Sequence, residues 1–248
     1  MPSPNTWPER IAHKLARAFP ARRFDFAPSR PIVSFSFDDV PVSALVNGAA
    51  VLERYSVRGT FYVAGGVAGA SLDGQPTLSD AQYRDLNGRG HEIGHHTFTH
   101  VTPWHLGRDY AGDLMRNDIY LSPIVGTRVR NFAFPYGRSS PRARNLVAQR
   151  FRSGRGVENG INRKVGDLDL LRAVGIEAHM SAAELIPWID DAVENPGWLI
   201  FLTHDVQDEP GRYGTTPAVL NALVTHALEA GAEVLTVDAA LDRLGVPV

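Results

Sequence analysis

The chain contains no cysteine. Disulfides and thiolate metal sites are therefore excluded, and any metal must be held by His, Asp or Glu. It also has no apolar run long enough to span a bilayer, so membrane insertion is not expected. The N-terminal stretch MPSPNTWPERIAHKLARAF lacks the apolar core and small-residue cleavage site of a secretory signal. The expectation from that absence is a cytoplasmic protein. Charge of one sign is not in excess either: 25 Lys and Arg oppose 27 Asp and Glu. No basic stripe marks a nucleic-acid partner. No repeat, low-complexity tract or linker divides the 248 residues. That length suits one large domain.

Histidine, by contrast, is concentrated. The segment HEIGHHTFTH (91–100) holds four of the nine histidines. Either it binds a metal or it is a chance surface cluster, and what converges on it decides between the two.

Periodicity supplies the frame. Residues 6–19 read as a short amphipathic helix through Ile11, Leu15 and Phe19, and Arg22–Pro31 as a connector. Strands are expected at PIVSFSF (31–37), GTFYVAGG (59–66), EIG (92–94), NFAF (131–134), WLIFLTH (198–204) and AEVLTV (232–237). Helical patterns fall between them: 43–55 capped by Ser43, 78–89 capped by Ser79, 108–121, 141–150, 181–193, 216–229, and a last short helix capped by Asp238. The stretch 151–175 holds two or three short strands broken by loops. Strands alternating with helices imply a parallel sheet with helices outside it. The order suits a (β/α) barrel, complete or incomplete, rather than an open doubly wound sheet, with residues 1–30 as N-terminal helix and connector and 31–248 as a single domain.

Ligands bind at the C-terminal ends of such strands. There the first strand ends in Asp38-Asp39, EIG runs into His95, His96 and His100, NFAF ends in Pro135-Tyr136-Gly137, and WLIFLT ends in His204-Asp205. His96 and His100, four apart, share a face on a helical turn. Two imidazoles and a carboxylate make a usual site for a divalent metal with an open position. HxxxH alone is a weak signal that is usually a solvated pair. Asp after a strand is often only a cap or turn residue. Two adjacent buried carboxylates repel unless a cation is near, and a metal on one would leave the other free to act as a base. His204 reads either as a satisfied core histidine or as a catalytic one.

Five segments in order resemble the polysaccharide deacetylases of the NodB-homology type (carbohydrate esterase family 4), from about Pro31 to about Leu244. FSFDDV (35–40) resembles the family's TFDDG motif, RGTFYV (58–63) its ATFFV strand, and GHEIGHHTFTH (90–100) its GHEIGNHTxxH segment. FAFPYG (132–137) is similar to the third motif, and LIFLTHD (199–205) to LxxHD. The resemblance implies a distorted, incomplete, seven-stranded TIM-like (β/α) barrel and one divalent metal, usually zinc, on Asp39, His96 and His100. It implies Asp38 as the base acting on a metal-bound water, the Tyr136 backbone N–H as an oxyanion donor, and His204 as the acid that protonates the leaving amine. Thr97 would orient the ligand loop and Leu202 would line the acetyl pocket. Pro135 of the third motif and Tyr213, in the loop after His204, are the further expected substrate contacts.

The chain departs from the family pattern in three places. Ala133 stands where an arginine commonly orients the base, as in a FAYPYG branch of the family; Arg155 or Arg172 could substitute. The fourth-motif aspartate is unplaced, with Asp167 and Asp169 as candidates and ordinary loop acids as the alternative. Val40, followed by Pro41, replaces the glycine of TFDDG, which implies a differently shaped loop. The resemblance implies metal-dependent removal of an N-acetyl group from an N-acetylated sugar or a surface-polysaccharide intermediate. A non-catalytic carbohydrate-binding domain and a cyclic-amide hydrolase relative are the alternatives. The N-terminal helix leaves a homo-oligomer open.

Overall fold

The structure is a computed structural model and describes residues 7–18, 21–72 and 74–247. Seven parallel strands make the central sheet: β1 (Ile32–Asp38), β2 (Thr60–Val63), β3 (Glu92–His95), β4 (Asn131–Ala133), β5 (Ser153–Arg155), β6 (Val174–Gly175) and β7 (Trp198–Thr203). Their order is β6-β7-β1-β2-β3-β4-β5, and Glu233–Val234 adds to the start of β1. The sheet curls until β5 and β6 approach. Among the described residues no ladder closes the gap: it is spanned by the Arg155–Leu171 bridge and by backbone hydrogen bonds from Gly156 N–H to the Leu171 carbonyl (2.9 Å), from Leu171 N–H to the Gly154 carbonyl (2.8 Å) and from Ala173 N–H to the Glu158 carbonyl (3.1 Å). The barrel is thus incomplete, as the sequence implies.

The apolar pattern explains the curl. β1 and β7 are buried along their whole length, as strands covered on both faces must be. Val33, Phe35, Phe37, Leu199 and Phe201 face the outer helical layer, while Ile32, Trp198, Ile200 and Leu202 fill the barrel. The inward positions Ser34 and Ser36 are small. Ser34 leaves room for the Trp198 indole, whose Nε1–H donates to the Ser34 hydroxyl at 2.9 Å.

Several local expectations change. The first helix, α1, runs Trp7–Ala18; Phe19 lies outside the described residues. The stretch read as a connector contains a strand, Arg23–Phe26, paired antiparallel with Lys164–Asp167. Phe26 fills the barrel floor beside Trp198, a long-range contact with no local signature. Residues 43–55 begin as a π-helical turn, Ala44–Ala49, before Ala50–Arg54. Ser43 caps nothing there and instead accepts from Val206 N–H. The helix expected at 108–121 runs Tyr110–Val125. The last helix is capped by Thr236, which accepts from Ala239 N–H, and not by Asp238, whose carboxylate takes Asn131 and Arg152. Ser79 caps Asp80–Gly88 in a capping box with Gln82, as its sequence suggests.

Candidate metal centre and active site

The strand order brings β7, β1, β2, β3 and β4 side by side, so the groups that follow four of them meet at one end of the barrel. Asp39 follows β1, His96 follows β3, and His100 sits four residues on. One donor atom from each of these three lies within 4.8 Å of the others. His100 Nε2 is 2.9 Å and His96 Nε2 3.6 Å from Asp39 Oδ1. Ligands about 2.1 Å from a tetrahedral ion stand roughly 3.4 Å apart, so these spacings suit such a centre. Asp39 Oδ1 is buried and accepts no well-formed hydrogen bond. An anionic oxygen in that state calls for a cation. The donor set and the stranded oxygen both fit a divalent metal.

The imidazoles are oriented from behind. His96 Nδ1 donates to the Ala133 carbonyl at 2.8 Å, which leaves Nε2 facing Asp39. The His100 backbone N–H donates to the Thr97 hydroxyl at 3.1 Å, within the loop that carries both imidazoles. His95 lies below: its Nε2 meets the Leu114 carbonyl at 3.1 Å and its Nδ1 accepts from Thr97 N–H. Burial pushes the pKa of His96 down to about 4 and that of His95 to about 3, so both are neutral donors near neutrality. Burial opposes a charge on Asp39, yet His100, then His96 and His204, outweigh it and hold its carboxyl below the usual range. His91 stays at the other end of β3, bonded to Glu53 and Gly59.

Asp38 is buried beside the cluster, with Oδ2 3.9 Å from His96 Nε2. Its Oδ1 accepts from the Arg155 guanidinium. Of the two arginines considered for the Ala133 gap, Arg155 therefore reaches Asp38. Arg172 is exposed and donates to the Asn159 carbonyl. Neither acid considered for the fourth motif touches Asp38: Asp167 pairs with Arg144, and Asp169 with Arg22.

His204 Nε2 stands 3.6 Å from Asp39 Oδ2, and its Nδ1 faces the Tyr213 carbonyl at 3.3 Å. Tyr213 lines a cavity of about 230 Å³ with Asp39, Pro41, Thr77 and His204. Leu202 is buried on the inward face of β7 among the core residues and does not line this cavity. Pro135 is buried in the turn after β4, and the Tyr136 ring lies 4.9 Å from the His100 ring. Strain gathers here. Asp39, Val40, Thr97, His100 and Tyr136 all have positive φ without being glycine. Val40 thus keeps the turn that a glycine would adopt, at a steric cost.

Two carboxylates organise the loops around the cluster, a task that neither shows in the sequence. Asp113 is wholly buried and accepts from Phe98 N–H (2.8 Å) and the Thr99 hydroxyl (3.0 Å), inside the His96–His100 loop. Asp205 accepts from Gly211 N–H (2.8 Å) and folds the loop that carries Tyr213. The HD pair made Asp205 visible but not this task. His13, on α1, is buried against Ser139.

An incomplete parallel barrel with an Asp-His-His cluster at its strand ends defines an α/β-barrel protein suited to hold a divalent cation. The chain belongs to the polysaccharide deacetylase family, whose profile matches residues 27–150. No curated protein matches it in sequence. Among solved structures, a family 4 acetyl xylan esterase from Clostridium thermocellum, in complex with a cobalt ion, is 25% identical, with 87% of this chain and 93% of that one covered and a TM-score of 0.60. The Bc1960 peptidoglycan N-acetylglucosamine deacetylase is 16% identical over 88% and 91% of the two chains, with a TM-score of 0.62. A mutant of BA3943, a family pseudoenzyme with restored enzymatic activity, is 15% identical over 88% and 70%, with a TM-score of 0.60. The last two likenesses speak for the fold alone.

Proposed function

We propose that the protein is a metal-dependent deacetylase that hydrolyses the N-acetyl group of an N-acetylated sugar or surface-polysaccharide intermediate, with zinc as its ion. The convergence of Asp38, Asp39, His96, His100 and His204 at one barrel end carries this reading. Family membership and the cobalt ion in the Clostridium relative support it.

Asp39, His96 and His100 would hold a divalent ion, which would supply Lewis acidity at the acyl carbonyl and a water made nucleophilic near neutrality. The remaining work falls to the chain's own groups. Arg155 fixes Asp38 Oδ1 and so turns Oδ2 toward the cluster, where it takes the proton of the attacking water. The Tyr136 backbone N–H, set by the Pro135 turn, donates to the developing oxyanion. An amine is a poor leaving group unless it is protonated. His204 provides that proton from Nε2, because its Nδ1 is held at the Tyr213 carbonyl. Leu202 and Tyr213 bound the acetyl and sugar sides.

The test is acetate release from N-acetylated glucosamine oligomers by metal-loaded protein, with acetylated xylan beside them. Asp38→Asn should lower the rate about 10²- to 10⁴-fold. Equal rates for Asp38→Asn and wild type would overturn the mechanism. Release from the O-acetyl substrate alone would overturn the N-acetyl assignment.

A further inference from the structure

The helix α1 points its large apolar side chains the wrong way for a packed helix. Its inward face is small and polar: Ala16 is buried, and His13 bonds Ser139. The Arg144 guanidinium holds the Ala16 carbonyl. Trp7, Ile11 and Leu15 recur every fourth residue and so form one stripe. They are 74%, 39% and 49% exposed. At about 100° per residue, Arg10, Lys14 and Arg17 all fall on one flank of that stripe, and all three are exposed.

That flank continues into a groove of about 820 Å³, lined among others by Lys14, Arg17, Arg23, Arg163 and Arg172. Arg17 is paired with Glu158, and Arg163 with Asp191. Arg10, Lys14 and Arg23 have no carboxylate partner among the described residues. An apolar stripe bearing an indole and bordered by unpaired cations is the pattern of a helix lying in a lipid interface.

We propose that α1, with the basic groove beside it, docks the protein on an anionic phospholipid surface. Trp7, Ile11 and Leu15 enter the headgroup–acyl boundary, while Arg10, Lys14 and Arg23 meet lipid phosphates. The helix lies on the bilayer and does not cross it: twelve residues span about 18 Å against a core of about 30 Å. A second copy of the chain fits less well. Two-fold packing along the stripe would bring Arg10 and Lys14 against their own copies. Three side chains also fall far short of the about 800 Å² per partner that a stable dimer buries. A bilayer supplies the opposite charge and demands no matching shape.

The test is flotation of the full chain with phosphatidylcholine vesicles, with and without about one-third phosphatidylglycerol. Binding to the anionic vesicles only, released by high salt, is expected. Trp7→Ser with Leu15→Ser should weaken partitioning about tenfold or more, with the melting temperature unchanged because both side chains face solvent. Lys14→Glu with Arg23→Glu should flatten the salt dependence. Three results would overturn the proposal: no binding to anionic vesicles, binding unaltered by the Trp7/Leu15 pair, or a wild-type dimer in light scattering that the same pair dissociates.

Discussion

The guanidinium of Arg155 lies between the carboxylate of Asp38 and the ring face of Tyr62, 5.1 Å from its centroid. The three groups come from three strands, β5, β1 and β2, and Arg155 is wholly buried. The family position usually filled by arginine is Ala133, on β4. Ala133 pairs directly with Arg155 in the β4–β5 register. A guanidinium thus reaches Asp38 from one strand over.

Arg155→Ala should leave Asp38 buried without its counter-charge. A loss of about 3–5 kcal/mol in unfolding free energy is expected by urea titration. Adding Asp38→Asn to Arg155→Ala should recover much of that loss, because the stranded charge goes with it. Strict additivity of the two substitutions would show that the pair is not coupled.

Asp113 ties the ligand loop from outside the site. Asp113→Ala strands the Phe98 N–H and the Thr99 hydroxyl, at about 1–3 kcal/mol for each buried group left unpaired. The expected functional effect is a metal affinity about 10- to 100-fold weaker, read by competition with a chromogenic chelator. Asp113→Asn keeps an acceptor and should fall between the two. Unchanged affinity in Asp113→Ala would mean that the loop holds its shape without this carboxylate.

Metal content distinguishes a binding centre from a fortuitous cluster. Protein purified without chelator should carry close to one divalent ion per chain by mass spectrometry, and His96→Ala much less. Removing the ion should lower the melting temperature, because Asp39 then sits buried among imidazoles with no cation. Absence of metal from both proteins after zinc reconstitution would refute the assignment of Asp39, His96 and His100.

Most of the candidate cluster is legible because Asp38, Asp39, His96 and His204 stand at or directly after strand ends, with His100 four residues beyond His96. β1 alternates large apolar residues with Ser34 and Ser36 and ends in Asp38, with Asp39 next; β7 is an apolar run that closes on Thr203, with His204-Asp205 next. The stretch 151–175 resisted reading because its strands are two to four residues long and are held from elsewhere. Gly154, for instance, is closed in by the Asp169 carbonyl, which a Cβ would meet at 2.9 Å. Arg155 could thus be named only as one of two arginines. Asp113 could not be named at all, since an acid inside a helix has no local mark that it serves a loop fourteen to fifteen residues earlier.

His91 should contribute an acid-labile element unrelated to metal. It is buried, its Nδ1 accepts from Gly59 N–H at 3.1 Å, and its Nε2 faces Glu53 at 3.0 Å. Burial, only partly offset by Glu53, depresses its pKa below 6.5. The unfolded chain then takes up this proton at a higher pH than the folded one. Stability from this group is complete above about pH 6.5 and falls as the pH drops toward the folded-state value, with a slope of at most about 1.4 kcal/mol per pH unit. Protonation would also cost the Gly59 bond, because a charged imidazole has no acceptor. His91→Asn should be less stable than wild type near pH 7.5 yet lose less on going to pH 5. Parallel stability curves for the two proteins, measured by urea unfolding across that range, would show that His91 does not carry the acid sensitivity.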